Sequence, residues 1–153
     1  MPGPSVRRVI TGHNAGGLAV VQTDEVARGA RFTLIWTTEG FPVDNTDPRD
    51  GGEREVGITI PGGTVFRVGE IGPGARSPMH RTNSVDYGIV LEGELDMELD
   101  GGDRVHLKAG DVVVQRGTNH AWINDSHQPA RMAWILLDAE PVRIGDRVLE
   151  PTM

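Results

Sequence analysis

Two histidines and one aspartate are the side chains of this chain whose types and spacing could carry out chemistry. His80 and Asp86 stand in the stretch HRTNSVDYGIVLEGE, and His120 stands in GTNHAWIN. Two imidazoles and a carboxylate on one face can hold a divalent metal with open positions for a substrate. Without a metal, the same groups can act as general acid and general base. The sequence therefore predicts a reactive site if the fold brings these three residues together.

Both stretches have the composition of β-strands, in which side chains alternate between two faces. The alternate residues from His80 to Asp86 share one parity, so they point the same way if the chain stays extended. In the later stretch, Trp122 lies on the same side as His120. A barrel closed around these strands would turn the two sets of side chains toward each other, around one small ligand.

Three further side chains are candidates for binding a substrate. Thr82 offers a neutral hydroxyl beside His80. Trp122 can stack on a planar substrate or fill the core, and core packing is the preferred interpretation. Arg67 shares one side of its strand with Val65. Facing inward, Arg67 would clamp a substrate carboxylate bidentately, and facing outward it would be solvated, which is the arrangement we expect.

Short strands separated by turns must position these residues. The chain contains 21 Gly and 10 Pro, and no stretch has the period of a long helix. Closely spaced short strands are typical of an all-β sandwich or barrel. The polar segment 39–57 is interpreted as a mobile surface loop, with a lid as the alternative. The predicted strands are Val6–Ile10, Leu18–Thr23, Arg31–Thr37, Thr64–Ile71, Asp86–Leu91, Leu95–Leu99, Arg104–Leu107, Asp111–Gln115, His120–Asn124, Arg131–Asp138 and a last one at Val142–Leu149.

The composition argues against several classes of protein. The net charge is −7 and the basic residues are scattered, whereas nucleic acid is bound through clustered Lys and Arg. The chain has no cysteine, which excludes disulfides, thiolate nucleophiles and Cys-ligated zinc. The N-terminal stretch lacks the pattern of a signal peptide, and the longest apolar run, AWILL, is too short to cross a bilayer. We therefore expect a cytoplasmic protein without nucleic-acid or membrane partners.

Two motifs resemble those of the cupin superfamily. From Gly74 the chain reads G-x5-H-x-T-x3-D-x6-G, which resembles the first cupin motif, usually G-x5-H-x-H-x3,4-E-x6-G. From Gly110 it reads G-x4-Q-x-G-x2-H-x3-N, which resembles the second, usually G-x5-P-x-G-x2-H-x3-N. The resemblance implies an all-β, cupin-like jelly-roll β-barrel in a single domain with an N-terminal strand arm. Residues 1–60 would form the N-terminal strands and the long polar loop packing on the barrel, 61–140 the barrel core, and 141–153 a C-terminal strand or tail.

The motifs depart from the cupin pattern at the positions that matter most. Cupin metal sites typically use three His and one Glu, but Thr82 stands at the second His position and Asp86 at the Glu position. Gln115 replaces the usual Pro. Carried over position by position, the resemblance leaves His80, Asp86 and His120 as metal ligands and catalytic residues, with iron, zinc or manganese as the metal.

The resemblance leaves three functions open. The first is a small-molecule enzyme that uses this metal in oxygenase, isomerase, decarboxylase or lyase chemistry. The second is a metal-free enzyme in which Asp86 orients a histidine that moves a proton. The third is a non-catalytic protein that binds a small metabolite, because the fold alone does not decide function.

The N-terminal strands also predict a partner. Val6–Ile10 and Leu18–Thr23 are apolar enough to add to the sheet of a second copy. An edge strand left unpaired is a liability, and the commonest oligomer is a symmetric pair. We therefore expect a homodimer.

Overall fold

The computed structural model describes residues 2–153, so Met1 of the predicted N-terminal segment lies outside the described residues. That range contains twelve β-strands and no helix, which confirms the all-β prediction. It accordingly offers no helix of the length and hydrophobicity needed to cross a membrane. The strands are β1 (Val6–His13), β2 (Ala19–Ala27), β3 (Phe32–Glu39), β4 (Gly63–Ile71), β5 (Ser84–Glu92), β6 (Glu94–Leu99), β7 (Arg104–Lys108), β8 (Val112–Arg116), β9 (His120–Ile123), β10 (Ala130–Asp138), β11 (Val142–Ile144) and β12 (Arg147–Leu149).

Two antiparallel sheets form the body of the fold. The larger has the strand order β3-β4-β10-β5-β8, and the smaller has the order β7-β6-β9. One apolar cluster, here called the inner cluster, takes side chains from both sheets, so the sheets face each other across it. This two-sheet arrangement is the predicted jelly-roll barrel. The buried members of the inner cluster are Val90, Leu95, Met97, Leu107, Trp122, Ala130, Met132, Trp134 and Leu136.

Strand register shows which polar side chains enter the barrel. Trp134 of β10 lies opposite Arg67 of β4, and Leu136 lies opposite Asp86 of β5. Residues directly opposed in an antiparallel pair share a face of the sheet. Because Trp134 and Leu136 belong to the inner cluster, Arg67 and Asp86 lie on the same inner face.

The larger sheet is apolar on its outer face as well. Ile35, Val68 and Ala133 form a second buried cluster, against which Val6 of β1 packs. β1 and β2 pair as an antiparallel hairpin. This N-terminal hairpin therefore covers part of the outer face and shields it from water.

Arg8 fastens the hairpin to the long segment between β3 and β4. Its side chain is 4% exposed. The guanidinium donates to both carboxylate oxygens of Asp50, at 2.7 and 2.5 Å, to Glu25 and to the carbonyl oxygen of Ile35. Ile58, near the other end of the segment, packs against the inner cluster. The segment 40–62 thus contains no regular strand and is held to the rest of the fold at two points, one of them just after the predicted loop 39–57. The mobility of that loop stays a prediction.

The prediction of one strand at Val142–Leu149 is wrong. The stretch folds as two short strands, β11 and β12, paired as a hairpin. Gly145 lies between them with a φ of 60°, a conformation that glycine adopts without strain. After the hairpin, Thr152 forms a β-bridge with Arg81, so the tail lies against the stretch that leads into β5.

Candidate functional site

The main chain holds His80 and His120 side by side. Each donates its backbone amide to the carbonyl oxygen of the other, and both hydrogen bonds are 2.9 Å long. The ring centroids are 4.3 Å apart, and the ring planes are inclined by 51°. Two histidines that are distant in sequence therefore form a contacting pair, here called the histidine pair.

Each ring of the pair is oriented by the carbonyl group two residues before it. Nδ1 of His80 lies 2.9 Å from the oxygen of Pro78, and Nδ1 of His120 lies 2.9 Å from the oxygen of Thr118. A carbonyl oxygen can only accept, so Nδ1 carries the proton in both rings. In a neutral ring this leaves the lone pair on Nε2.

His120 is the buried member of the pair, with 4% exposure. Burial lowers the pKa of His120 to about 4, although the Thr118 carbonyl favours the charged ring. The imidazole is therefore uncharged at neutral pH. Its Nε2 has no hydrogen-bond partner in the protein. Among residues 2–153, Arg67 Nε is the one side-chain polar atom that is both fully buried and without a partner, so His120 Nε2 is not fully buried and keeps some access to solvent.

Asp86 ends a line of hydrogen-bonded oxygens. Ser84 Oγ donates to Asp86 Oδ1 at 2.5 Å, and Thr82 Oγ1 lies 2.6 Å from Ser84 Oγ. The three side chains lie on one side, as parity predicts for this stretch. Asp86 is 6% exposed, and burial raises the pKa of its carboxyl group, against the hydrogen bond from Ser84 and the charge of Arg67.

The expectation that Arg67 faces solvent is wrong. The residue lies on the inner face of the larger sheet, and its Nε is fully buried. The guanidinium carbon is 4.4 Å from the ring centroid of Phe32, a cation–π contact. Burial lowers the pKa of Arg67, and the charge of Asp86 opposes that shift. The position of Arg67 is thus compatible with substrate binding, which stays a prediction.

Trp122 packs in the inner cluster and is 5% exposed. Its ring meets that of His120 edge-on, with centroids 5.5 Å apart, and that of Trp134 at 6.1 Å. This is the core position preferred from the sequence, and it gives Trp122 a second role as a wall against the buried imidazole.

Comparison with known proteins decides the family. The family model described as Cupin domain matches residues 67–136. The cupin-domain-containing oxidoreductase virC of Hypocrea virens is 40% identical over 162 residues, which cover 95% of this chain and 84% of that protein. The chain belongs to the cupin family. Phomopsin biosynthesis cluster protein C' of Diaporthe leptostromiformis is 44% identical to this cupin over 157 residues, covering 93% of this chain and 83% of that protein.

A solved structure is also similar to this cupin over part of its length. It is the Cupin 2 conserved barrel domain protein from Salinispora arenicola, with a TM-score of 0.46 and 26% identity. The similarity covers 50% of this chain and 64% of that one.

The residues of this cupin supply only part of a metal site. The histidine pair presents two Nε2 atoms whose opposite ring nitrogens are fixed by carbonyl groups, which is the usual arrangement of metal-binding imidazoles. Within residues 2–153, however, no three His, Cys, Asp or Glu side chains converge on one point where a metal could lie. As placed, Asp86 does not complete a three-ligand set with the pair, so the predicted metal site stays a prediction.

Sequence reasoning gave Ser84 and Gln115 no role in the site. Gln115 is 3% exposed and lies opposite Asp86 on the inner face. Its amide contacts the sulfur of Met97, and its side-chain oxygen accepts from Thr118, whose carbonyl holds the ring of His120. Ser84 could have been found from its position two residues before Asp86, on the same side of the strand. Gln115 could have been found because it stands where the cupin motif usually has Pro.

Proposed function

We propose that this cupin is an enzyme that binds a small organic molecule in the barrel and moves a proton on it through His120. The observation that carries the proposal is the state of that imidazole: it is buried and neutral, its Nδ1 is fixed on the Thr118 carbonyl, and its Nε2 is free of protein partners. Relatives such as virC, named as cupin-domain-containing oxidoreductases, support an enzyme over a binding protein without catalysis.

The geometry fits acid–base chemistry at a buried imidazole. Neutral His120 takes a proton from the substrate on Nε2, and the electron pair left behind moves into an adjacent carbonyl group of the substrate. Because the pKa of His120 is about 4, the charged ring is a strong acid and returns the proton readily. Asp86, whose pKa is raised by burial, is a second group able to hold a proton. Isomerisation uses both halves of this exchange. Elimination uses the abstraction, with the proton then available to the leaving group, and decarboxylation uses only the delivery of a proton to the carbon that has lost carbon dioxide.

Proton exchange in deuterated water tests the proposal without knowledge of the product. Chelator-treated protein is incubated with a panel of small carbonyl compounds and organic acids, and deuterium incorporation is followed by nuclear magnetic resonance. We expect incorporation into at least one compound and its loss in His120→Ala. His127→Ala is the matched control, because His127 is exposed. Exchange that persists in His120→Ala would contradict the role of His120, and compounds that bind without exchange or turnover would indicate a metabolite-binding protein.

The histidine pair favours a second candidate, in which a divalent metal participates. His80 and His120 would bind iron, zinc or manganese through Nε2, with Asp86 as the predicted third ligand. A bound metal would supply Lewis-acid or redox chemistry at the substrate. Elemental analysis of protein purified without chelator is expected to show about one metal per chain, restored after chelation by adding back the same ion. Sub-stoichiometric metal that no added ion restores would leave the metal-free enzyme.

A further inference from the structure

Arg67 is a half-buried cation that makes no ion pair with the protein. Its Nε is fully buried without a hydrogen-bond partner, and within residues 2–153 no carboxylate lies within ion-pair distance of its guanidinium. Asp86 is close enough to affect its charge, but Asp86 accepts its hydrogen bond from Ser84. Burying an N–H donor of a charged group without an acceptor is costly, so the placement of this side chain requires an explanation.

Arg8 is a buried arginine of this chain whose contacts are all within the fold, and it serves as a comparison for Arg67. Its side chain is 4% exposed, and it is paired with two carboxylates and a carbonyl group. Arg67 is half-buried on the inner face of the larger sheet, and its fully buried Nε–H has no acceptor in the protein. The contrast indicates that the partner of Arg67 is a group outside the protein chain.

A continuous row of rings connects Arg67 with the histidine pair. The guanidinium carbon is 4.4 Å from the centroid of Phe32, and Phe32 meets Trp134 edge-on at 5.9 Å. From Trp134 the row continues through Trp122 to His120, with centroid separations of 6.1 and 5.5 Å. A cation therefore lies at one end of this aromatic row and a free imidazole nitrogen at the other.

We propose that Arg67 binds the carboxylate of the substrate, and that the substrate is therefore a small organic acid with a flat apolar body. A carboxylate accepts two parallel hydrogen bonds from a guanidinium, and the terminal N–H groups of half-buried Arg67 are the donors that it would reach first. The rings beside Arg67 favour an unsaturated or aromatic body over a sugar. This inference rests on the proposed function, because it assigns the substrate class of the same site.

Benzoate and benzamide are the probes that test the inference, since they share a ring and differ in charge. Their affinities are measured by calorimetry for the wild type, Arg67→Gln and Arg31→Gln. Arg31 is the matched control because its guanidinium is exposed but lies over the same Phe32 ring, at 5.3 Å. We expect the wild type and Arg31→Gln to bind benzoate at least about tenfold more tightly than benzamide. In Arg67→Gln the preference for benzoate is expected to disappear while benzamide binding stays the same.

Three outcomes would overturn the inference: equal affinity of the wild type for both probes, no binding of benzoate to the wild type, or an undiminished preference in Arg67→Gln. Circular dichroism and the melting temperature check that the variant folds. We expect the melting temperature of Arg67→Gln to equal or exceed that of the wild type, because a partly buried charge without an ion pair is removed. The inference can fail on its own if His120-dependent proton exchange occurs on neutral compounds regardless of Arg67. The proposed function fails on its own if benzoate binds through Arg67 and no compound exchanges protons.

Discussion

Burial of His120 makes the stability of the fold depend on pH. Its pKa is about 4 in the folded chain and 6.5 in an unperturbed histidine. As the pH falls from 6.5 toward 4, the unfolded chain binds a proton that the folded chain does not, so the free energy of unfolding decreases. The decrease from this residue is expected to reach about 3 kcal/mol below pH 4.

Urea unfolding of chelator-treated protein between pH 7 and 4 gives the free energy of unfolding of the wild type and of His120→Gln. The effect of His120 is the change with pH of the difference between the two. Asp86 acts in the opposite sense, because a carboxyl group with a raised pKa stabilises the folded chain as the pH falls. Both proteins contain Asp86, so its contribution cancels when the free energy of unfolding of His120→Gln is subtracted from that of the wild type. His127→Gln should follow the wild type. Parallel profiles for the wild type and His120→Gln would contradict the prediction.

The hydroxyl of Ser84 opposes the effect of burial on the pKa of Asp86, because it donates to the carboxylate. Ser84→Ala removes the donor that stabilises the carboxylate, so the pKa of Asp86 is expected to rise further. The carboxyl carbon shift of Asp86, followed by nuclear magnetic resonance against pH, measures it. Thr82→Val is the control and should have a smaller effect, since Thr82 contacts Ser84 and not Asp86. A titration unchanged in Ser84→Ala would show that the hydrogen bond does not control the carboxyl group.

Residue orientation was predictable only where the strand had one polar side. Thr82, Ser84 and Asp86 are polar and alternate with other residues, and the structure places them on one side. β4 gave no such signal around Arg67, because the sheet has apolar clusters on both faces. Strands buried on both faces read as nearly continuous apolar runs, so parity cannot show which side is the interior.

The segment between β3 and β4 contains no regular strand and is held to the N-terminal hairpin by the hydrogen bonds of Arg8. Arg8→Ala would leave Asp50 without its partner and remove a buried guanidinium with all its hydrogen bonds. We expect the free energy of unfolding to fall by about 3 kcal/mol or more, with faster proteolysis within residues 40–62.

Arg7→Ala is the matched control for this prediction. Arg7 immediately precedes Arg8 and also pairs with an aspartate, but its side chain is 70% exposed. An exposed ion pair contributes about 1 kcal/mol or less. Equal losses of stability in the two variants, measured by urea unfolding, would show that the contacts of Arg8 do not anchor the segment.

Strand positions were predictable from turns and alternation, and the one error has a local cause. Val142–Leu149 alternates like a single strand, yet Gly145 and Asp146 supply a turn in its middle. Short hairpins are stabilised by what they pack against, and sequence periodicity contains no information on such contacts.

For the whole molecule, a symmetric homodimer stays a prediction, and the N-terminal hairpin gives it a physical basis. Val9 is 47% and Val21 is 60% exposed on this hairpin. A second copy that covers these side chains would remove them from water. Light scattering is expected to give twice the chain mass of 16.5 kDa. Val21→Asp should shift the mass toward one chain, whereas Gln22→Asp, which adds the same charge at an exposed polar position, should not.

The two reciprocal amide bonds between His80 and His120 have a consequence for how this protein can change. The contacts that position the imidazoles are made to backbone groups, so exchanging a neighbouring side chain removes none of them. Neighbouring side chains can therefore be exchanged to admit molecules of other shapes while the two rings keep their separation. Such a barrel is a good starting point for laboratory evolution toward new ligands, with the wall randomised and the two imidazoles held constant.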